Sequence, residues 1–253
     1  MFIQQPFSLP SGTAVTPVTL SVTDDSHIRS GSVYTFSNMD LGAYGIKKTV
    51  ITVNAYDGTT TKTLAGVTVK GVAATELVYQ GSTNYEYASS IYFIDSITTT
   101  TADIIVSMDI NISGVMIGVF AIRGADATAH QTQTTSSGGA SNGNPATLNL
   151  DIPAGGCAIA CTANAGSPMG TSSVYGWTNI TEAYDKWEET PYTRGSGASD
   201  VYETEQSSLA LTATITGQSG INNGAMSMVA ASWQPASMTG TATFTEVVSS
   251  SAN

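Results

Sequence analysis

Short runs of β-branched and aromatic residues, separated by turn residues, recur along almost the whole chain. Two clear examples are Lys47–Ala55, which ends at the turn sequence Tyr56-Asp57-Gly58, and Ala102–Ile110, in which apolar side chains alternate with others. No long segment places apolar residues three and four positions apart, as an amphipathic helix requires. The pattern therefore predicts about twelve short strands and an all-β fold.

One segment differs from the alternating strands. Val115–Ile122 is apolar on both faces, which is typical of a central strand covered from both sides. Gly118 in its middle indicates a bulge or close packing against a neighbour. The following stretch, Gly124–Gly143, is rich in Thr, Gln, Ser and Gly and is predicted to be a loop.

The length of 253 residues fits one large all-β domain, and no break in composition divides its centre. We predict a single jelly-roll-like antiparallel β-sandwich over residues 30–235. Residues 1–29 are predicted to form an extended arm that packs on a neighbouring molecule. Residues 236–253 are Ser/Thr-rich and are expected to be a loose tail or to add a strand to a partner's sheet.

Charge narrows the classes of partner. The chain has 8 Lys plus Arg against 19 Asp plus Glu, a formal net charge of −11. This charge repels phosphate backbones, so we expect no nucleic acid as a partner. No run of about 18 apolar residues is present, which predicts no membrane insertion. The first residues carry no recognisable secretory signal, so synthesis in the cytoplasm is expected.

The two cysteines, Cys157 and Cys161, lie in one apolar run. On a strand, residues four apart share a face but lie about 13 Å from each other. A disulfide needs Cα atoms closer than about 7 Å. The sequence therefore predicts two free thiols that pack as small apolar side chains, and a two-cysteine metal site is disfavoured because no histidine is near.

Catalytic chemistry needs a base or nucleophile beside an orienting group. The two histidines, His27 and His130, belong to no recognisable triad and are interpreted as surface residues. Asp24-Asp25 and the Gly124–Asp126 turn could ligate Ca²⁺ through oxygen atoms, but acidic residues in turns are more often caps. The sequence predicts no enzyme activity, no metal and no cofactor.

The most distinctive polar segment is the acidic and aromatic insertion at residues 182–205, which holds seven of the 19 acidic residues. Three interpretations stay open: a long hairpin that covers the sandwich edge, a subunit contact, and a glycan-binding surface. Aromatic residues are enriched at protein interfaces, and sugar rings stack on aromatic planes beside carboxylates. The candidate contact residues for a subunit or a glycan are Tyr184, Trp187, Glu188, Glu189, Tyr192 and Tyr202.

Several strand and turn sequences, taken in their order along the chain, carry a resemblance to one group of proteins. They are Val33–Gly42, Val67–Thr75, Thr101–Val106, Ile117–Ile122, Ile152–Ala160 and Ser227–Trp233. Over residues 30–235 the chain resembles uncharacterised β-sandwich proteins of tailed bacteriophages, especially marine ones, which are assumed to be virion components. These motifs are structural patterns, so the resemblance carries over no catalytic or binding residue.

The resemblance implies a virion location and a non-enzymatic structural role. We expect a capsid decoration protein that stabilises the particle, forms a homo-oligomer and contacts other virion proteins of the capsid or tail. The alternative is a tail or fibre adhesin that binds host surface glycans through residues 182–205.

Overall fold

The computed structural model describes residues 18–56, 64–81, 87–95, 97–137, 144–165, 173–188, 193–216 and 225–237. These residues are almost entirely β-strand, and every strand pair is antiparallel. No helix that could cross a membrane is found among them.

Fifteen strands are present in the described part of the chain. In chain order they are β1 Thr19–Asp40, β2 Lys48–Tyr56, β3 Leu64–Val69, β4 Val72–Ala73, β5 Thr75–Gly81, β6 Tyr87–Asp95, β7 Thr101–Arg123, β8 Gln131–Ser137, β9 Ala146–Ile152, β10 Gly156–Ala165, β11 Val174–Thr178, β12 Thr181–Glu188, β13 Thr193–Tyr202, β14 Gln206–Thr216 and β15 Ala225–Trp233.

The first seven strands form one sheet in the order β4-β3-β7-β2-β6-β5, with β1 paired to β7. Strand β7 is long enough to serve two parts of this sheet. Its first half pairs with β3, its second half pairs with β2, and β1 follows it along both halves. The sheet therefore curls around its own apolar core, which includes Phe36 of β1, Ile51 of β2 and Ile104 of β7.

The rest of the described chain forms two further sheets. The five-stranded sheet has the order β12-β13-β10-β15-β8, and the three-stranded sheet has the order β11-β14-β9. Alternation along β10 explains how they stack, because successive side chains of a strand point to opposite faces. Cys157, Ile159 and Cys161 pack with the curled sheet, whereas Ala158 and Ala160 pack with the three-stranded sheet.

The same alternation makes β2 and the second half of β7 a middle layer. Ile51 and Val119 face the core inside the curled sheet, whereas Val50 and Phe120 face the five-stranded sheet. Every residue of Val115–Ile122 is buried, so the prediction of a central strand is confirmed. The prediction of an all-β antiparallel sandwich is also confirmed, and the described residues form three large apolar clusters and one small one rather than a single core.

Two predicted boundaries differ in the structure, and a third lies mostly outside the described residues. Residues 19–29 of the predicted arm belong to β1, where Leu20 pairs with Ile122 and Ile28 with Val115, while residues 1–17 lie outside the described residues. The predicted loop Gly124–Gly143 contains β8, which pairs with β15. The hydrogen bonds of a neighbouring strand order these polar residues, although their composition has no apolar face. Most of the predicted tail, residues 238–253, lies outside the description.

Candidate functional site

The predicted insertion at residues 182–205 is an integral part of the five-stranded sheet. Strand β13 lies between β12 and β10, and its residue Ala198 pairs with both Glu182 and Ala160. Residues 194–198 are buried, because Gly, Ser and Ala side chains let a second sheet approach closely. Strands β12 and β13 form an antiparallel pair at the edge of the sheet, which fits the hairpin interpretation, and a subunit or glycan contact by this segment stays a prediction.

Tyr184, one of the candidate contact residues, lies inside the molecule and is 4% exposed. Its ring fills the space beside two glycines of facing sheets, Gly118 in β7 and Gly197 in β13. Its hydroxyl lies 2.7 Å from Thr52 Oγ1 and accepts a hydrogen bond of 3.3 Å from the Asn54 amide. A partner cannot reach this side chain, so Tyr184 does not belong to a contact surface.

A seam of polar side chains continues from Tyr184 between the two sheets. Ser89 Oγ donates to Asn54 Oδ1 at 3.0 Å and lies 2.7 Å from Ser227 Oγ. Buried polar groups destabilise a fold unless they are hydrogen-bonded, and satisfied groups impose one geometry. The seam therefore sets the register in which the two sheets pack.

A buried ion pair joins β12 and β13. Arg194 Nε lies 2.5 Å from Asp185 Oδ1, and Arg194 Nη2 donates to Asp185 Oδ2 at 2.6 Å. Nη1 donates to the carbonyl of Ser173, and Asp185 also accepts from the Tyr175 amide at 3.1 Å. These four contacts satisfy the carboxylate of Asp185 and the guanidinium of Arg194 within the protein. The ion pair therefore has a structural role.

The other candidate residues of this segment divide into three groups. Tyr202 is half-buried, and its hydroxyl donates to the Asn179 carbonyl at 2.6 Å. Burial, together with the nearby Asp200 carboxylate, raises the pKa of the Tyr202 phenol well above its usual value. Trp187 and Glu188 belong to β12, but their side chains are outside the description. Glu189 and Tyr192 lie outside the described residues altogether.

Both cysteines are free and buried, which confirms the prediction from their spacing. Burial raises the pKa of the Cys157 thiol to about 12 and raises that of Cys161 further. The Cys161 thiol donates to the Ser90 carbonyl at 3.5 Å across the sheets. A protonated, buried thiol is unreactive, so these residues act as packing groups.

A surface feature that the sequence analysis missed lies between β1 and β2. The loop Leu41–Lys47 presents two large apolar side chains to solvent, Tyr44 at 76% exposure and Ile46 at 83%. Gly45, with φ of +121°, adopts a backbone conformation that other residues avoid. A Cβ atom at Gly45 would lie only 3.0 Å from Arg123 Nη1, which is a second reason for glycine at this position.

Two cations clamp this loop from inside. Arg123 donates to the carbonyls of Ala43 at 2.5 Å, Ile46 at 3.1 Å and Tyr44 at 3.2 Å. The buried Lys47 ammonium donates to the carbonyls of Thr99, Ala43 and Gly42 at 2.8, 3.1 and 3.2 Å. Burial and the neighbouring Arg123 lower the pKa of Lys47, whereas Asp40 opposes that effect. The loop backbone is thus held by charge-assisted hydrogen bonds while its apolar side chains point outward.

A cleft of about 320 Å³ opens directly beside the loop. Its walls combine apolar and charged groups, and Ile46 belongs to both the loop and the cleft. Within it Lys48 ion-pairs with Asp95 at 2.5 Å and lies 4.2 Å from the centroid of the Phe93 ring. The lining residues are Ile46, Lys47, Lys48, Asp95, Ile122, Arg123, Gly124, Ala125 and Ala127.

A second, smaller cleft of about 200 Å³ has His130, Asp151, Glu205 and Gln234 among its lining residues. Asp151 accepts hydrogen bonds from the Ser208 amide at 2.6 Å and from Gln131 at 3.3 Å. Asp126, in the turn at 124–126, accepts a hydrogen bond from the Gln234 side-chain amide. No group of three or more His, Cys, Asp or Glu residues that could hold a metal ion occurs in the described part of the chain.

The sequence signal for the missed loop was its two glycines, which flank Tyr44 in Gly42-Ala43-Tyr44-Gly45-Ile46. Glycines around large apolar residues indicate a tight turn with exposed side chains, but Arg123, which binds the loop backbone, lies 77 or more positions away in the sequence.

Comparisons with family models, curated proteins and solved structures found no match for this chain.

Proposed function

We propose that this protein is a non-enzymatic structural component of a bacteriophage particle and that it decorates the capsid surface. The observation that carries the proposal is the clamped loop Leu41–Lys47, which holds Tyr44 and Ile46 in solvent. Large apolar side chains in a fixed exposed geometry are typical of protein contact sites. The resemblance to virion β-sandwich proteins supplies the class of assembly.

The way in which the loop is held favours a binding role over a simple connection. A contact surface that is already ordered loses little conformational entropy when the partner binds. Six hydrogen bonds from Arg123 and Lys47 fix the loop backbone before any partner arrives. A connection with no partner would gain nothing from exposing Tyr44 and Ile46.

The interior supports a structural role as well. The polar side chains between the sheets, including Tyr184, Asn54 and Ser89, are hydrogen-bonded to one another. The charged groups Asp185 and Arg194 are bound to each other. These contacts cross between strands and sheets, so the polar chemistry of the interior stabilises a rigid scaffold.

The outermost three-stranded sheet has a polar, largely uncharged outer face. Thr212 of β14 pairs with Thr178 of β11 on one side and with Thr147 of β9 on the other. The hydroxyl oxygens of Thr147 and Thr212 lie 2.9 Å apart. Hydroxyl side chains keep an exposed sheet hydrated and suit strand geometry. Such a face is appropriate for the outside of a particle.

The test is immunogold labelling of intact particles of the phage that encodes this chain, with an antibody raised against the purified protein. Copies spread over the head would support decoration. Copies confined to one vertex would favour the alternative, a tail or fibre adhesin for host glycans. Particles that carry no label, although the protein is present in the infected cell, would overturn a virion role.

The matched add-back experiment uses particles produced without this protein. Purified wild-type protein should bind them to saturation, and the exposed-loop variant Tyr44→Ser should bind more weakly. Val174→Ser, which removes an exposed apolar side chain on β11, serves as the control and should bind normally. Equal binding by both variants would show that the loop does not contribute, directly or through contact between copies, to attachment to the particle.

A further inference from the structure

We propose that the loop Leu41–Lys47 and the cleft beside it form a two-fold interface between two copies of this chain. The proposal deepens the proposed function, on which it rests, because it assigns a partner to one surface of the scaffold. In this arrangement Ile46 and Tyr44 of each copy enter the cleft of the other.

The shape of this patch suits contact with a second copy of itself. A two-fold interface uses the same patch on both subunits, so the patch must be complementary to itself. A protruding side chain immediately beside a recess meets this condition, because rotation about the axis places each protrusion over the other recess. Ile46 protrudes and also lines the recess. The cleft of about 320 Å³, with Ile122, Ala125 and Ala127 in its wall, has room for a large apolar side chain.

The charges around the cleft differ from the acidic balance of the whole chain. A net charge of −11 makes two copies repel each other over most approaches. This corner is different, because Lys47, Lys48 and Arg123, three of the chain's eight cationic residues, line the cleft. Among the described residues they are accompanied by Asp95 in the cleft wall and by Asp40 beside Lys47. The local balance of charge therefore reduces repulsion between copies at this patch.

Both signs of charge also lie at different positions on the patch. Asp95 is 47% exposed even though it pairs with Lys48, and the half-buried Arg123 contacts the Ile46 carbonyl. A two-fold rotation brings unlike positions of the two copies together. The second copy's Asp95 can then approach Arg123, and the reverse contact follows by symmetry.

The loop is already ordered in a single copy. The hydrogen bonds of Arg123 and Lys47 fix the loop in the exposed conformation within a single copy. Association therefore buries Tyr44 and Ile46 without first ordering the backbone. Aromatic and aliphatic anchors that enter a recess are the residues on which binding energy usually depends.

The test is the mass of the full-length protein in solution, measured by sedimentation velocity and by light scattering across a concentration series. The wild-type protein should approach the mass of a dimer as concentration rises. Ile46→Asp should raise the dissociation constant at least about tenfold, because it places a carboxylate in an apolar recess. Val174→Ser removes a different exposed apolar side chain and should leave the dimer unchanged.

A second variant closes the recess and leaves the loop intact. Ala127 is exposed at the cleft wall, so Ala127→Phe should fill the cleft and weaken the dimer by a similar factor. A mixture of Ile46→Asp with Ala127→Phe retains one intact contact, the loop of the second variant in the cleft of the first. The mixture should therefore dimerise more strongly than either variant alone.

The outcomes separate this inference from the proposed function. A wild-type protein that stays monomeric at every concentration, or a dimer that neither variant weakens, would overturn the two-fold interface. Larger species whose mass neither variant lowers would also overturn it, since another contact would then hold the copies together. Gold labelling of the head reports the decoration role independently, so a labelled capsid with a monomeric protein would reject the interface alone.

Discussion

The ring of Tyr184 in β12 lies directly over Gly118 in β7, in the space that a Cβ atom at residue 118 would occupy. This contact joins the five-stranded sheet to the curled sheet. A Cβ atom at Gly197 would overlap with the same ring, so one aromatic side chain uses the space left by glycines of two facing sheets. The predicted close packing at Gly118 is thereby confirmed.

The first prediction concerns this contact. Gly118→Ala should lower the free energy of unfolding by about 1–3 kcal/mol, because the added methyl overlaps with the Tyr184 ring. Chemical denaturation measures the loss. In a Tyr184→Ala background the ring is absent, so the same glycine substitution should cost much less. Equal costs in the two backgrounds would show that the two residues are not coupled.

The second prediction concerns the Tyr184 hydroxyl. Tyr184→Phe keeps the ring but leaves Thr52 Oγ1 and the Asn54 amide without this partner. The stability loss should be about 1–3 kcal/mol by denaturant titration, since buried polar groups without partners destabilise the fold. Tyr44→Phe is the matched control, because Tyr44 is exposed, and it should change stability little. A neutral Tyr184→Phe would indicate that water replaces the hydroxyl.

The third prediction concerns the buried ion pair. Asp185→Ala removes the carboxylate but leaves the Arg194 guanidinium buried, so the free energy of unfolding should fall by about 3–5 kcal/mol. Asp103→Ala, at an exposed carboxylate that accepts from the Asn38 amide, provides the comparison and should cost about 1 kcal/mol. Similar losses at both positions would argue against a buried charged pair.

The fourth prediction concerns the thiols. In the folded protein the Cys157 pKa is about 12, whereas an unfolded cysteine has a pKa of about 8.5. Between these values the folded state holds protons that the unfolded state has lost, so stability falls as the pH rises through this range. The Cys161 pKa is raised in the same direction and adds to the effect.

The measurement compares wild-type protein with the variant in which both cysteines are replaced by alanine. The difference in unfolding free energy should shrink between pH 7 and pH 9.5, because only the wild type contains the thiols. The lowered pKa of Lys47 acts in the opposite direction, but it is common to both proteins and cancels. A thiol reagent should find no reactive group in the native protein and two after unfolding.

The fifth prediction concerns the clamp on the loop. Arg123→Met keeps the aliphatic part of the side chain but removes three hydrogen bonds to the carbonyls of Ala43, Tyr44 and Ile46. Limited proteolysis should then cut within residues 42–46 faster than in the wild type, with only a modest fall in the melting temperature. Lys70→Met, at the exposed turn between β3 and β4, should not change the cleavage rate.

Local pattern accounts for much of the fold. The apolar run Val115–Ile122 predicted a central strand, and it is buried throughout, because a strand covered on both faces must be apolar on both faces. The spacing of Cys157 and Cys161 predicted free thiols on one face for a purely geometric reason. The all-β class followed from the same periodicity.

What the sequence by itself determined is therefore the all-β class and the buried side of the strands with a clear apolar pattern, because both follow from the twofold alternation along the backbone. Only the tertiary structure decided which sheets meet and which polar residues they enclose. Tyr184 is aromatic and lies in an acidic segment, which suggested a surface, yet glycines distant in the chain provide a space for its ring. Tyr44 and Ile46 are exposed because Arg123, also distant, binds the loop backbone. Contacts between residues so far apart depend on how strands pair and stack, and periodicity within one segment carries no information about that pairing.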